Sequence, residues 1–169
     1  VYIGGGFRKA GGLVVNFIAK WDGAIWTKLG AGLNSDVSDI KKYGSDIYAT
    51  TGNGLYKWNG ASWTTIGTIS GSVNGNLFVS GMDIDLTGNI YIIGQFLNVN
   101  GTPITQYGIA KWNGSTWSNF GAGLNYTPYY GGITSVVTKD SNVYVGGVFT
   151  NNVGNQIGNL AKWNGSSWS

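Results

Sequence analysis

IAKWNGSTW (Ile109–Trp117) sets two tryptophans on either side of an Asn-Gly step. Asn-Gly between short apolar runs is the strongest short-range signal for a β-hairpin, so the stretch reads as strand, turn, strand. It has three close copies: KWDGAIW (20–26), KWNGASW (57–63) and KWNGSSW (162–168). The four copies hold all eight tryptophans of the chain. A hairpin recurring in this way belongs to a larger repeating unit, and that unit decides the fold.

The rest of the unit lies on either side. A tyrosine motif precedes each hairpin: VYIGG (1–5), IYATT (47–51), IYIIG (90–94) and VYVGG (143–147). Its tyrosines, Tyr2, Tyr48, Tyr91 and Tyr144, are spaced by 46, 43 and 53 residues. After the tryptophans come LGAGLN (29–34) and FGAGLN (120–125), with IGTISG (66–71) as a weaker copy. Before the tyrosines stand VSDIKKYG (37–44), VSGMDIDL (79–86) and ITSVVTKD (133–140). Turn residues punctuate these runs, and no stretch carries a helical period. Each unit thus predicts four short strands, A to D. Repeats of ~40–50 residues with four strands each are the pattern of β-propeller blades. The expected fold is an all-β propeller of about four antiparallel blades, over 1–36, 37–78, 79–132 and 133–169. The first blade lacks its strand A. A ring with that strand absent does not close cleanly, so a second copy, or the rest of a longer chain, is expected to complete it.

Composition agrees. Of 169 residues, 30 are glycine and 2 proline, aromatics make up 14% and charged residues only 10%. Typical globular domains carry ~25% charged residues. A disordered chain would show the opposite balance. The net charge of +3 rests on 10 basic and 7 acidic residues with no dense basic stripe, which argues against a nucleic-acid partner. There is no cysteine and no histidine. Disulfides, thiolate chemistry, the usual zinc sites and Ser-His nucleophiles are therefore excluded. No apolar run approaches the ~20 residues of a membrane helix, so no membrane insertion is expected.

A two-residue type I′ turn at Asn113-Gly114 would pair Trp112 with Ser115 and Ala110 with Trp117. The two indoles would then be diagonal neighbours on one face. The same register would set Ala19 across from Trp26, Ala161 across from Trp168, and Tyr56 across from Trp63. Repetition of both tryptophans (Trp21, Trp26, Trp58, Trp63, Trp112, Trp117, Trp163 and Trp168) favours packing between blades over ligand binding. A ligand repeated at every blade would use them equally well. Lys20, Lys57, Lys111 and Lys162 point to the other face, where their stems are expected to lie on the neighbouring blade. The pairs Gly4-Gly5 and Gly146-Gly147 are expected to permit close backbone packing.

VYVGG followed by W-N-G and a second tryptophan resembles the kelch-type repeat, in which a di-glycine ends strand B and aromatics mark strands C and D. LAKWNGSSWS and IAKWNGSTWSNFGAGL are similar to uncharacterised propeller repeats of bacterial secreted and giant-virus proteins, and to repeats of the fungal cortical polarity marker family. The resemblance spans essentially the whole chain. It implies a propeller fold and, most often, a protein-binding module. Galactose oxidase, an enzyme of the kelch type, needs copper held by Tyr, Cys and His, so that activity does not carry over. The second repeat departs from the pattern, with no Gly-Gly in IYATTGNGLYKW.

Strands of a blade alternate direction, so A–B and C–D turns share one end and B–C and D–A loops the other. The latter are long and varied, and such loops on a rigid frame commonly carry function. The binding candidates there are Arg8, Asn98, Tyr107, Tyr126, Tyr129, Tyr130, Asn152 and Gln156. Asp83, Asp85 and Asn89 alternate like calcium ligands, but the Glu and flanking helices of a calcium loop are missing. Asp36, Asp39, Asp83 and Asp85 are the carboxylates of interest, spread over different blades, which argues against an enzyme. Asn100, Asn113, Asn125 and Asn164 open N-x-S/T sequons, acceptors only in a chain that passes a glycosylating compartment. The expectation is a non-enzymatic scaffold without cofactor or metal, extracellular, on a cell surface or in a virion. Its ligand would be a protein, or, in a lectin-like alternative, a glycan.

Overall fold

The computed structural model describes residues 1–72, 75–105, 108–120, 132–150 and 156–169, with backbone alone for 149, 150 and 156–158. The described residues form strands and turns without a helix. Sheet I contains β1 (Tyr2–Gly4), β4 (Ile18–Trp21) and β5 (Trp26–Lys28). Within its first connection, β2 (Lys9–Ala10) and β3 (Leu13–Val14) make a small hairpin. Sheet II contains β6 (Val37–Tyr43), β7 (Asp46–Thr51), β8 (Gly54–Trp58) and β9 (Trp63–Ser70). Sheet III contains β10 (Phe78–Ile84), β11 (Ile90–Gln95), β14 (Ile109–Trp112) and β15 (Trp117–Asn119). Between β11 and β14 lies a second hairpin, β12 (Asn98–Val99) and β13 (Thr102–Pro103). Sheet IV contains β16 (Ile133–Lys139), β17 (Asn142–Thr150) and β18 (Gln156–Trp163), with Trp168 bridging back to Trp163.

Neighbouring strands within each sheet are antiparallel. Strand β11, IYIIGQ, is apolar on both faces because both are covered. Met82, Ile90, Ile92 and Ala110 pack toward sheet II, and Tyr91, Ile93 and Ile109 toward sheet IV. The three first strands carry a bulge at one repeat position, at Ser38, Ser80 and Thr134. Each bulge raises the local twist, and each bulged hydroxyl donates to a carbonyl: Val79, Ile93 and Gly146 respectively. These first strands are sheet edges, so their outward N–H groups need acceptors. Carboxylates of the preceding sheet supply two. Asp39 accepts from the Met82 N–H at 3.0 Å, and Asp83 from the Thr138 N–H at 2.6 Å. Gly4 is needed for close approach, since a Cβ there would lie 2.5 Å from Val37 Cγ1.

The hairpin register differs from the two-residue turn expected. Trp112 stands directly opposite Trp117, and Ala110 opposite Asn119. Likewise Trp21 faces Trp26, Trp58 faces Trp63, and Trp163 faces Trp168; Ala19 faces Lys28, and Tyr56 faces Thr65. The reason is the Asn side chain. Asn113 Oδ1 accepts from the N–H groups of Ser115 and Thr116 at 3.0 and 2.8 Å, which makes a four-residue loop. Asp22, Asn59 and Asn164 do the same in their copies. Gly114 holds φ at 97°, a conformation that favours glycine. The consequence is a side-by-side tryptophan pair in every sheet, with ring centroids 4.9–5.5 Å apart.

Candidate functional site

The tryptophan pairs of sheets II, III and IV meet the last strand of the preceding sheet. Trp63 Nε1 donates to the Leu29 carbonyl at 2.9 Å, and Trp117 Nε1 to the Ile66 carbonyl at 3.1 Å. The glycine after each acceptor makes room. A Cβ on Gly30 would lie 2.9 Å from the Trp58 ring, and one on Gly67 2.6 Å from the Trp117 ring. At the third interface Phe120 packs edge-on to Trp168 and tilted against Trp163, with centroids 5.3 and 5.1 Å away. Leu29-Gly30, Ile66-Gly67 and Phe120 are therefore seats for the tryptophans of the next sheet. The lysines face the other way, as their pairing requires. Two of their ammonium groups lie over the tyrosine of their own sheet rather than on a neighbour: Lys57 over Tyr48 at 5.7 Å and Lys111 over Tyr91 at 5.8 Å.

Two of the long connections expected to carry the site hold short hairpins, β2–β3 and β12–β13. The Asn98–Pro103 hairpin adds to the edge of sheet II, pairing Asn98 with Ser70 and Val99 with Ile69. Asn100 locks it, accepting from the Thr68 N–H at 2.8 Å and donating to the Ile66 carbonyl at 3.0 Å. Asn98 is thus a half-buried strand residue that clips two sheets together. Arg8 is exposed on the other hairpin, its guanidinium 4.7 Å from the Phe17 ring centroid. Gln156 pairs through its backbone with Thr150. Tyr107, Tyr126, Tyr129, Tyr130 and Asn152 lie outside the described residues, as does the sequon at Asn125. The two-residue strands gave no period to read; the cue was Asn100-Gly101 and Gly11-Gly12 within each connection.

A cleft of about 230 Å³ opens between sheets III and IV at the short-turn end, opposite those hairpins. Sheet III contributes Asp85, Thr87, Asn89, Tyr91 and Lys111; sheet IV contributes Asp140, Ser141 and Trp163. At the II–III boundary the corresponding space is filled. The Tyr43 ring covers Gly88 there, and its hydroxyl donates to the Leu86 carbonyl at 3.2 Å. In sheet III the place of Tyr43 is taken by the shorter Asp85, which leaves the cleft. Only a comparison between repeats, position by position, could have found it from sequence.

Two ionisable groups of the cleft, Asp85 and Tyr91, are bonded to each other at 3.0 Å. Burial works against the Asp85 carboxylate, but hydrogen bonds from Asn89, Thr87 and Tyr91 outweigh it and hold its pKa below the usual value. Burial, reinforced by Asp85, drives the Tyr91 phenol upward. General acid–base catalysis works best with groups poised near the working pH, and these two are displaced from neutrality in opposite directions. Asp83 lies elsewhere, between Thr138 and Lys41, the latter at 3.2 Å. Of the alternating Asp83, Asp85 and Asn89, the last two bond each other, the Asn89 Nδ2 group donating to Asp85 at 2.8 Å, while Asp83 serves separate contacts and does not join them. Among the described residues no three His, Cys, Asp or Glu groups cluster as a metal site. No family model matches the chain, and neither a curated protein nor a solved structure matches it.

Proposed function

We propose that the chain is a non-enzymatic β-propeller scaffold for protein–protein interaction or structural assembly, at a cell surface or in a virion. The supporting observation is the tryptophan clamp, rebuilt on the same motif at each boundary between successive sheets. Such an array invests its aromatics in rigidity and leaves its ends to present loops and turns. A panel of displayed proteins and peptides, selected against the immobilised chain, tests the reading. It predicts protein ligands that compete with one another for one end of the sheets. Selection of no protein ligand would overturn it.

The cleft between sheets III and IV favours a lectin-like second reading. An indole wall (Trp163) beside Asp140, Ser141 and Lys111 suits a sugar, which presents an apolar face and hydroxyl edges. Glycan-array binding lost on Trp163→Ala, in a variant that keeps its circular dichroism, would establish that reading. A blank array would remove it.

A further inference from the structure

The cleft between sheets III and IV has two unlike walls. On the wall of sheet III the Asp85 carboxylate is fully occupied. Its Oδ1 accepts from the Thr87 N–H, the Thr87 hydroxyl and the Asn89 N–H, at 2.9, 2.7 and 3.0 Å. Its Oδ2 accepts from Asn89 Nδ2 at 2.8 Å and from the Tyr91 hydroxyl at 3.0 Å. A carboxylate has about four lone-pair sites, so Asp85 has none to offer a ligand. It positions Asn89 and Tyr91 instead. The other two charged groups of the cleft are Lys111 and Asp140. Lys57, at the position of Lys111 in sheet II, is paired with Asp46 at 2.7 Å. Asn89 stands where Asp46 stands, immediately before the tyrosine strand, and gives its amide to Asp85. Lys111 is left without an ion pair among the described residues. So is Asp140, on an exposed turn of sheet IV. A charge of each sign thus stands unpaired in one cleft, beside the half-buried indole of Trp163.

We infer that this cleft takes a single neutral pyranose ring, the terminal sugar of a glycan, whose adjacent hydroxyls bridge the Lys111 ammonium and the Asp140 carboxylate while its apolar face lies on Trp163. The inference rests on the lectin-like reading above and names the class of sugar. Size sets the single ring. The cleft holds about 230 Å³, below the ~300–1,000 Å³ of sites for drug-sized ligands. Charge sets the neutrality. Two carboxylates, Asp85 and Asp140, against one ammonium leave one net negative charge, which opposes a uronic acid. Lys111 in turn opposes an amino sugar. A hydroxyl accepts from an ammonium and donates to a carboxylate equally well, and such charge-assisted bonds are roughly twice as strong as neutral ones. At the II–III boundary Tyr43 occupies the corresponding space, so that boundary takes no sugar.

Calorimetric titration of the 169-residue chain with methyl glycosides tests this. The probes are the neutral methyl glycosides of glucose, galactose and mannose, the methyl glycoside of glucuronic acid and that of glucosamine, together with longer neutral oligosaccharides. At least one neutral glycoside should bind with a Kd of roughly 1 mM, about tenfold tighter than either charged one. Lys111→Met and Asp140→Asn should each weaken that binding about tenfold. Asp140 sits at φ 56°, which asparagine tolerates, so the second variant keeps the turn. Lys57→Met, at the same repeat position beside the filled boundary, should leave the affinity unchanged. Far-UV circular dichroism checks that all three variants fold. Preference for a charged glycoside, binding of longer glycans alone, or an affinity indifferent to Lys111→Met and Asp140→Asn would overturn the inference and leave the lectin-like reading standing. No binding of any sugar would overturn both.

Discussion

Replacing Trp117 with alanine should cost this protein about 4 kcal/mol of stability. The side chain is 7% exposed and lies among Leu55, Ile69, Phe96, Val99 and Ile104. An aromatic of its size buries 150–250 Å², and ~25 cal/mol per Å² sets an upper figure of about 4–6 kcal/mol. The substitution also orphans the Ile66 carbonyl, at a further cost of about 1 kcal/mol. Trp117→Phe keeps a ring and loses the N–H, so it should cost about 1–2 kcal/mol. The control is Trp26→Ala. Trp26 occupies the same motif position, but it is half-buried and packs against the hairpin of its own unit rather than another sheet of the described residues. Its removal should cost about half as much as that of Trp117 or less. Urea unfolding followed by far-UV circular dichroism measures all three, with the m-value checked for a single transition. Equal costs for Trp26→Ala and Trp117→Ala would refute the clamp, because burial against a preceding sheet would then not be what the tryptophan contributes.

Asp83→Ala removes the acceptor for the Thr138 N–H and should lower stability by about 2 kcal/mol, whereas Lys41→Ala, which removes only its ion pair, should cost under about 1 kcal/mol; equal losses in a urea titration would count against the edge-capping role. The Asp85 carboxylate has a lowered folded pKa, so its contribution is full above the unfolded value of about 3.9 and is lost as pH falls through the folded value. The stability gap between wild type and Asp85→Asn should therefore shrink below about pH 4, and a gap constant from pH 7 to pH 2 would falsify this. Asn100 sits at φ 49° and bonds β9 from both ends of its amide. Asn100→Gly should lose only those bonds, while Asn100→Ala should lose the bonds and add about 1 kcal/mol of backbone strain; thermal melts that rank the two the other way would contradict it.

The strand set was legible because each strand carries its own alternation and each turn its own glycine, asparagine or aspartate. Strands β6, β10 and β16 fall on the predicted first strands, and the tyrosine motifs on the second. The register was not legible. Asn-Gly closes both two-residue and four-residue loops, and the choice lay in whether the Asn113 carboxamide or the backbone would satisfy the N–H groups of Ser115 and Thr116. The β12–β13 hairpin escaped notice because two residues are too few to show a period, and its stability comes from β9, in another unit. The cleft was hidden for a similar reason. It exists because Asp85 stands where Tyr43 fills the space one sheet earlier, a difference between repeats that matters only once the sheets are stacked. The tryptophans were read as packing residues, and the hydrogen bonds of Trp63 and Trp117 to Leu29 and Ile66 go with the direct pairing that the two-residue turn would have denied.

Indole hydrogen exchange measured by NMR on the ¹⁵N-labelled chain addresses the clamp most directly. Each tryptophan gives one Nε1–H signal, and single Trp→Phe variants assign them. The Trp63 and Trp117 indoles should exchange far more slowly than that of Trp26, because only the first two donate to a carbonyl of a preceding sheet within the described residues. Exchange of all three at similar rates would contradict the account.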